Sequence, residues 1–326
     1  MVEIKEKSTE VTSETGGNQD VPIEEVAVLE MKSGFEARAK EASSTKEKIP
    51  GMPYSAETLT AKEITPEIVQ KVTDLFRYTF NNDFGEFVVH QLSQEVRGAR
   101  DVFGCEKGES VDLERMDSMA EMPKSEDGQP MELFHHPEMT YKKLMEKFMK
   151  GYLMLITHDE TGEIGAFTFG YVDSLQGVFD KEWKYRFAYT ENPSTEAMRD
   201  EDLFFNNALP ALSHHLTEQT GEPVTLTPES EVFCWNCGVV RDDLRRTGIV
   251  PFGMKAFFEA LPKEKIAKLG VIGETQKGTK PHRLLQMGGF QTIENVLSED
   301  YVLLVAALEK LAGNFSLPAE VFKKKT

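Results

Sequence analysis

Two apolar runs face each other across a short polar turn. Residues 152–156 (YLMLI) are apolar throughout, residues 159–162 (DETG) have turn chemistry, and residues 164–171 (IGAFTFGY) run back. This spacing predicts a β-hairpin. Neither run alternates apolar with polar, so neither strand has a face that prefers water. A sheet built on such strands must be covered on both sides, and the rest of the chain has to supply helices for that purpose.

The helical signals are present. Thr65 can cap, Pro66 suits the first helical position and Glu67 falls in the first turn. Ile68, Val72, Leu75, Phe76 and Phe80 then recur at helical spacing until residues 81–85 (NNDFG) end the run. Helices are also expected at 141–150 and 203–218. Residues 231–240 (EVFCWNCGVV) read as a strand and 241–248 as a glycine-containing turn. A helix follows whose apolar face is Met254, Phe257, Phe258 and Leu261. A short strand at 269–273, a short helix at 281–287 and strands at 290–296 and 301–307 complete the order, which is a mixed α/β pattern.

The chain has 326 residues. Residues 1–55 are rich in Glu, Lys, Ser and Thr, with Phe35 and Tyr54 their only aromatics. Such a segment buries too little apolar area to offset its ordering entropy. It is expected to be a disordered tail ending in a linker at 49–53 (IPGMP). The folded domain is expected over 56–312, with a C-terminal tail at 313–326. Two long insertions, 86–150 and 173–228, carry no readable motif. From Glu191 to Glu231 there are nine acidic residues against one basic residue, Arg199.

The net charge of −18 disfavours a general nucleic-acid binder, which needs Lys and Arg against phosphate. It suits a cationic amine, whose approach a negative field assists, and it also serves solubility. Cys105, Cys234 and Cys237 are the only cysteines. An odd, low count gives no disulfide framework and fits a reducing compartment. With no apolar leader and no membrane-length apolar run, a cytoplasmic protein without a membrane partner is expected; a homodimer is left open. Cys234 and Cys237 supply only two of the four ligands a structural zinc needs. Cys105 and the pairs His135-His136 or His214-His215 would have to complete the set. Lying inside an apolar strand, the two cysteines read better as small buried hydrophobes, and no metal is expected.

The strand-turn-helix at 231–262 carries the chemistry. Arg245, Arg246, Thr247, Gly248, Ile249 and Val250 place free backbone N–H groups at a helix start, which can hold a pyrophosphate. The two arginines add formal charge, and Gly248 leaves room for phosphates to approach. Residues 240–250 (VRDDLRRTGIV) resemble the signature V-x-P-x-x-[RQ]-x-x-G-x-[GA] of the GNAT superfamily of acetyl-CoA-dependent N-acetyltransferases. Val240, Arg245 and Gly248 match in register, while Asp242 replaces the proline and Val250 the final small residue. Residues 281–290 (PHRLLQMGGF) resemble the family's short helix ending in GF, and the hairpin resembles its second and third strands.

The resemblance implies a GNAT-like fold: a mostly antiparallel central sheet with one splayed strand pair, flanked by helices. It implies acetyl-CoA as co-substrate in the opening between the 231 and 269 strands. Val239 and Val240 would pair with its pantetheine, and the N–H groups of residues 246–250 would cradle its pyrophosphate. The acceptor would be an amine, in a small molecule or a protein. For proton transfer the resemblance gives no match. Leu285 stands where many members have a tyrosine, and the usual strand acid would fall near Cys234. Glu231, Asp173 or a glutamate of the acidic connection remain as bases and His282 as an acid. Each also reads as an ordinary surface group. A catalytically silent acyl-CoA-binding or protein-interaction module is the alternative.

Overall fold

The computed structural model describes residues 46–95, 113–118, 136–183, 201–262, 269–297 and 301–315. The charged tail up to residue 45 lies outside the described residues, as do Cys105, His135 and the terminal lysines. One eight-stranded sheet organises the rest, in the order β1-β2-β3-β4-β5-β6-β8-β7. Its strands are β1 (Glu47–Lys48), β2 (Tyr54–Thr60), β3 (Gly151–His158), β4 (Ile164–Ser174), β5 (Glu231–Val240), β6 (Gly270–Gln276), β7 (Gln291–Ile293) and β8 (Tyr301–Ala307). All neighbours are antiparallel except β5 and β6.

The helices are α1 (Pro66–Glu95), α2 (Leu113–Asp117), α3 (Pro137–Phe148), α4 (Leu175–Val178), α5 (Glu201–Thr220), α6 (Ile249–Ala260), α7 (Lys280–Met287) and α8 (Leu308–Asn314). A π-helical turn, Phe179–Trp183, continues α4. The two faces of the sheet carry separate apolar cores. On one, Phe233, Trp235 and Met154 pack with Phe257 and Phe258 of α6, Leu285 of α7 and Phe315. On the other, Tyr171, Val232 and Cys234 pack with Phe179, Trp183, and Phe204 and Leu212 of α5. The near-continuous apolar strands therefore have the double cover that their composition demands.

Three expectations need correction. Residues 49–53 are not a linker. They turn the chain from β1 into β2, with Ile49 N–H donating to Tyr54 O at 2.9 Å and Ile49 itself buried. β2 pairs along its whole length with β3, Tyr54 opposite His158 and Thr60 opposite Tyr152. Its Ser, Thr and Glu residues hide a strand from a reading based on apolar runs. α1 does not end at 81–85 but continues to Glu95. A single interior glycine costs a helix only about 1 kcal/mol, and no proline removes a donor. The cap of α1 is as expected, with Ile68 N–H donating to Thr65 Oγ1 at 3.3 Å. Over residues 66–80 its buried side chains, however, are Val69, Val72, Thr73, Phe76, Arg77 and Thr79, so the covered face is turned from the one the spacing suggests.

Candidate functional site

β5 and β6 are joined at only two positions, Phe233 with Val271 and Cys234 with Ile272. Gly273 still lies against β5, since a Cβ there would come 2.8 Å from Trp235 O. Beyond that point β5 remains paired with β4 and β6 with β8, but not with each other. A parallel pair that parts while both outer partners hold leaves an open V. Its inner edges carry backbone N–H and C=O groups that take no part in the ladders.

At the vertex β5 is bulged. Phe169 pairs with Cys237 and Gly170 with Trp235, which leaves Asn236 without a rung. Bulges re-aim a side chain and bend the strand. From one face Thr168 spans the bulge: its Oγ1 accepts from Trp235 Nε1 at 2.7 Å and donates to Cys237 O at 2.6 Å. On the other face the Asn236 carboxamide meets a partly buried polar cluster. Lys147 Nζ, from the last turn of α3, donates to Asn236 Oδ1 at 3.4 Å and to Glu182 Oε2 at 2.8 Å. Tyr171 OH donates to Glu182 Oε1 at 2.5 Å.

Burial alone would push the Glu182 carboxyl up. The Lys147 ammonium and hydrogen bonds from Lys147, Tyr171 and Asn236 outweigh it and hold this acid below the usual carboxylate range. Burial, joined by Cys234 and Glu182, pushes the Tyr171 phenol far up, so it stays protonated and donates. Burial likewise keeps Cys234 a thiol.

β6 alternates. Val271 belongs to the α6-side core, Ile272 to the opposite core, and Gly273 faces Trp235. Glu274 therefore follows on the Cys234 face, and its carboxylate acts electrostatically on the Cys234 thiol. It is half-buried and is the first β6 residue past the vertex on that face.

At the far end of β5 the chain enters the expected turn. Arg241 is held by Glu163 at 2.5 Å and Asp243 at 2.7 Å. Arg245 pairs with Asp242 at 2.9 Å. Arg246 has φ 67° and Gly248, which caps α6, has φ 86°. Two left-handed residues around Thr247 turn the backbone twice within three positions, and only at Gly248 does this carry no Cβ penalty. Arg246 and Thr247 are exposed, Gly248 and Val250 half-buried and Ile249 buried. Thr247 Oγ1 donates back to Leu244 O at 2.6 Å.

The expected donor-binding residues are thus contiguous: Val239 and Val240 end β5, and residues 245–250 run from there into α6. The named candidates for proton transfer, Glu231, Asp173 and His282, lie elsewhere in the chain. Glu231 is exposed at the start of β5, beyond the paired stretch and so at the end away from the opening. Asp173, next to the last residue of β4 and beside it, pairs with Lys181. His282 is buried in the first turn of α7. Gly278 N–H donates to its Nδ1 at 3.0 Å, so Nε2 carries the proton of the neutral ring and donates to Thr292 Oγ1 at 3.0 Å. Burial lowers the pKa of this imidazole and favours the neutral form.

Cys234 and Cys237 are buried, and neither forms a disulfide. Among the described residues no group of three or more metal-ligating side chains stands together, and no helix is long and apolar enough to cross a membrane.

No family model and no curated protein sequence matches the chain. Solved structures do. Arylalkylamine N-acetyltransferase 2 from Aedes aegypti matches at 11% identity and TM-score 0.39, covering 78% of this chain and 99% of its own. Drosophila melanogaster polyamine N-acetyltransferase, which forms N-acetylagmatine, matches at 9% identity and TM-score 0.39, covering 77% and 99%. Ribosomal-protein-S5-alanine acetyltransferase from Vibrio fischeri matches at 9% identity and TM-score 0.33, covering 82% and 98%. These solved structures are N-acetyltransferases. At such identities and scores the likeness transfers no substrate and no residue role.

Proposed function

We propose that the chain is an N-acyltransferase that moves an acetyl group from acetyl-CoA to an amine. The single observation that carries this reading is the opening of β5 from β6 just past Cys234 and Ile272, on the strand whose end leads into the Gly248-capped helix.

The residues present fit such a donor. The free edge of β5 suits an amide-bearing arm as a neighbouring strand would, with Val239 and Val240 nearest the turn. The amides opening α6 carry about half a positive charge, and Arg245 and Arg246 stand beside them, so a diphosphate is favoured there. Bound acetyl-CoA supplies an activated thioester. The work left to the chain is to hold an amine at the vertex and to remove its proton.

Glu274 is proposed for the second task. It follows the vertex on β6, is half-buried, and faces the side of the sheet that α1, α3 and α5 cover. A carboxylate there attracts an ammonium and takes a proton from it, so that the neutral amine can attack the thioester carbon; the C–S bond then breaks, and the proton released from the new amide nitrogen leaves with CoA as its thiol. Glu231 and His282 have no part in this scheme.

Calorimetry with acetyl-CoA and CoA, followed by thiol release with an arylalkylamine, a polyamine and agmatine, tests the reading. Native protein is expected to bind both CoA species, and Gly248→Trp to abolish binding. Glu274→Gln is expected to lower kcat by about 10² to 10⁴ with binding retained, the range of a lost general base. Absence of any heat with either CoA species would remove the proposal. A silent acyl-CoA-binding module is the second reading, favoured by the buried Leu285 where the family resemblance calls for a tyrosine. It predicts binding without thiol release.

A further inference from the structure

We propose that the partly buried Lys147–Glu182 pair is a positioning device: through the Asn236 side chain it fixes the β5 bulge, and with it the backbone that meets the acyl carbonyl. This rests on the acyl-transfer reading above.

Three elements converge on a carboxylate supplied by a fourth. Tyr171 comes from β4, Lys147 from α3, Glu182 from the π-helical turn and Asn236 from β5. Both carboxylate oxygens of Glu182 are engaged, and its side chain is only 8% exposed. A buried ion pair is a poor source of stability, because desolving two charges offsets most of their attraction and an apolar pair of similar volume often does better. What such a pair supplies is fixed geometry, provided every lone pair is met.

The geometry fixed here is local. Asn236 is the residue that the β4–β5 ladder skips, so it has no rung of its own opposite β4 and its orientation is less constrained by the sheet than that of its neighbours. Thr168 ties the residues on either side of it from the opposite face. With both clamps in place the bulge has one orientation at the point where β5 leaves β6. A π-helical turn, a rare element that is frequent at functional sites, delivers Glu182 to this position.

The acyl carbonyl meets this backbone only if its hydrogen-bond donors are held still before the reaction, which is where preorganisation acts. Loosening Asn236 then weakens polarisation of the carbonyl without touching the diphosphate contacts at the other end of β5. Glu182 and Lys147 act through Asn236 and need not contact the substrate.

Isotope-edited infrared spectroscopy of [1-¹³C]acetyl-CoA bound to the full chain reads this directly. In native protein the thioester carbonyl band is expected at lower frequency than for free acetyl-CoA. In Glu182→Gln and in Asn236→Ala it should move back by more than half of that shift, while affinity stays within about threefold. An unchanged band with retained binding overturns the proposal, as does loss of binding in the variants alone. If Glu182→Gln does not fold, Lys147→Met with Glu182→Gln leaves no unpaired buried charge and is read in the same way. Native protein that binds no acetyl-CoA would instead remove the acyl-transfer reading on which the proposal rests.

Discussion

A Cβ on Gly273 would lie 2.8 Å from the carbonyl oxygen of Trp235, so β6 approaches β5 at that point only because residue 273 has no side chain. The obstruction is backbone, which cannot rotate away. Overpacking of this kind costs about 1–3 kcal/mol. Gly273→Ala is expected to lower the free energy of unfolding by that amount in urea titrations. A midpoint equal to that of the native protein would show that the strands separate there at no cost.

Thr168 serves two buried partners with one hydroxyl. Thr168→Val keeps the shape and removes both bonds, leaving the Trp235 N–H without an acceptor. A buried donor left unmet costs about 1–3 kcal/mol. The expected loss should appear in thermal and urea unfolding alike, accompanied by a change in the environment of the Trp235 indole. Full stability in the valine variant would mean that the indole finds another acceptor.

Gly248 caps α6 at φ 86°, a conformation that asparagine tolerates better than most residues and a β-branched side chain tolerates badly. Gly248→Val is therefore expected to cost more stability than Gly248→Asn. The difference should be of order 1–3 kcal/mol, the range for a strained residue. Acetyl-CoA affinity measured by calorimetry should fall in the same order. Equal affinities for the two variants would separate the cap from the binding site.

Acid should act in two windows. The His282 imidazole is lowered from 6.5 by burial, so its contribution is complete above 6.5 and is lost as pH falls through the lower folded value. Glu182 is lowered from 4.5, burial being outweighed by Lys147 and its hydrogen bonds. Its contribution is complete above 4.5 and is lost as pH falls through its own lower folded value. Stability measured against pH should flatten in the upper window for His282→Gln and in the lower one for Glu182→Gln. A curve for His282→Gln that is parallel to the native curve throughout would remove the imidazole from the account.

Legibility in the sequence followed burial. The hairpin of β3 and β4, the β5 strand and β8 are apolar on both faces, and each stands within a few residues of where composition places it. The capping residues of α1 and the Gly248 turn were also readable, because each needs a particular residue type at one position. β2 was not. Ser55, Glu57, Thr58 and Thr60 break up the apolar run that marks the other strands, although β3 pairs with all four.

The polar cluster was invisible for a different reason. Lys147 and Asn236 are 89 residues apart and Lys147 and Glu182 are 35 apart, so no local spacing joins them. Taken singly, each is an ordinary solvated group. The bulge that aims Asn236 has no sequence mark, and Glu274 falls one residue past the strand that periodicity delimits.

The two positions joining β5 to β6 also set how the molecule holds together. Among the described residues they are the only rungs linking an antiparallel block, β1 to β5, to a second one, β6 to β8. A ligand lying along the free edges would supply the absent rungs, and so would be a sheet strand as much as a reactant. Its departure would return the two blocks to a seam two residues wide. Melting temperature should therefore climb with donor concentration as mass action requires, and amide exchange should slow on both sides of the seam together.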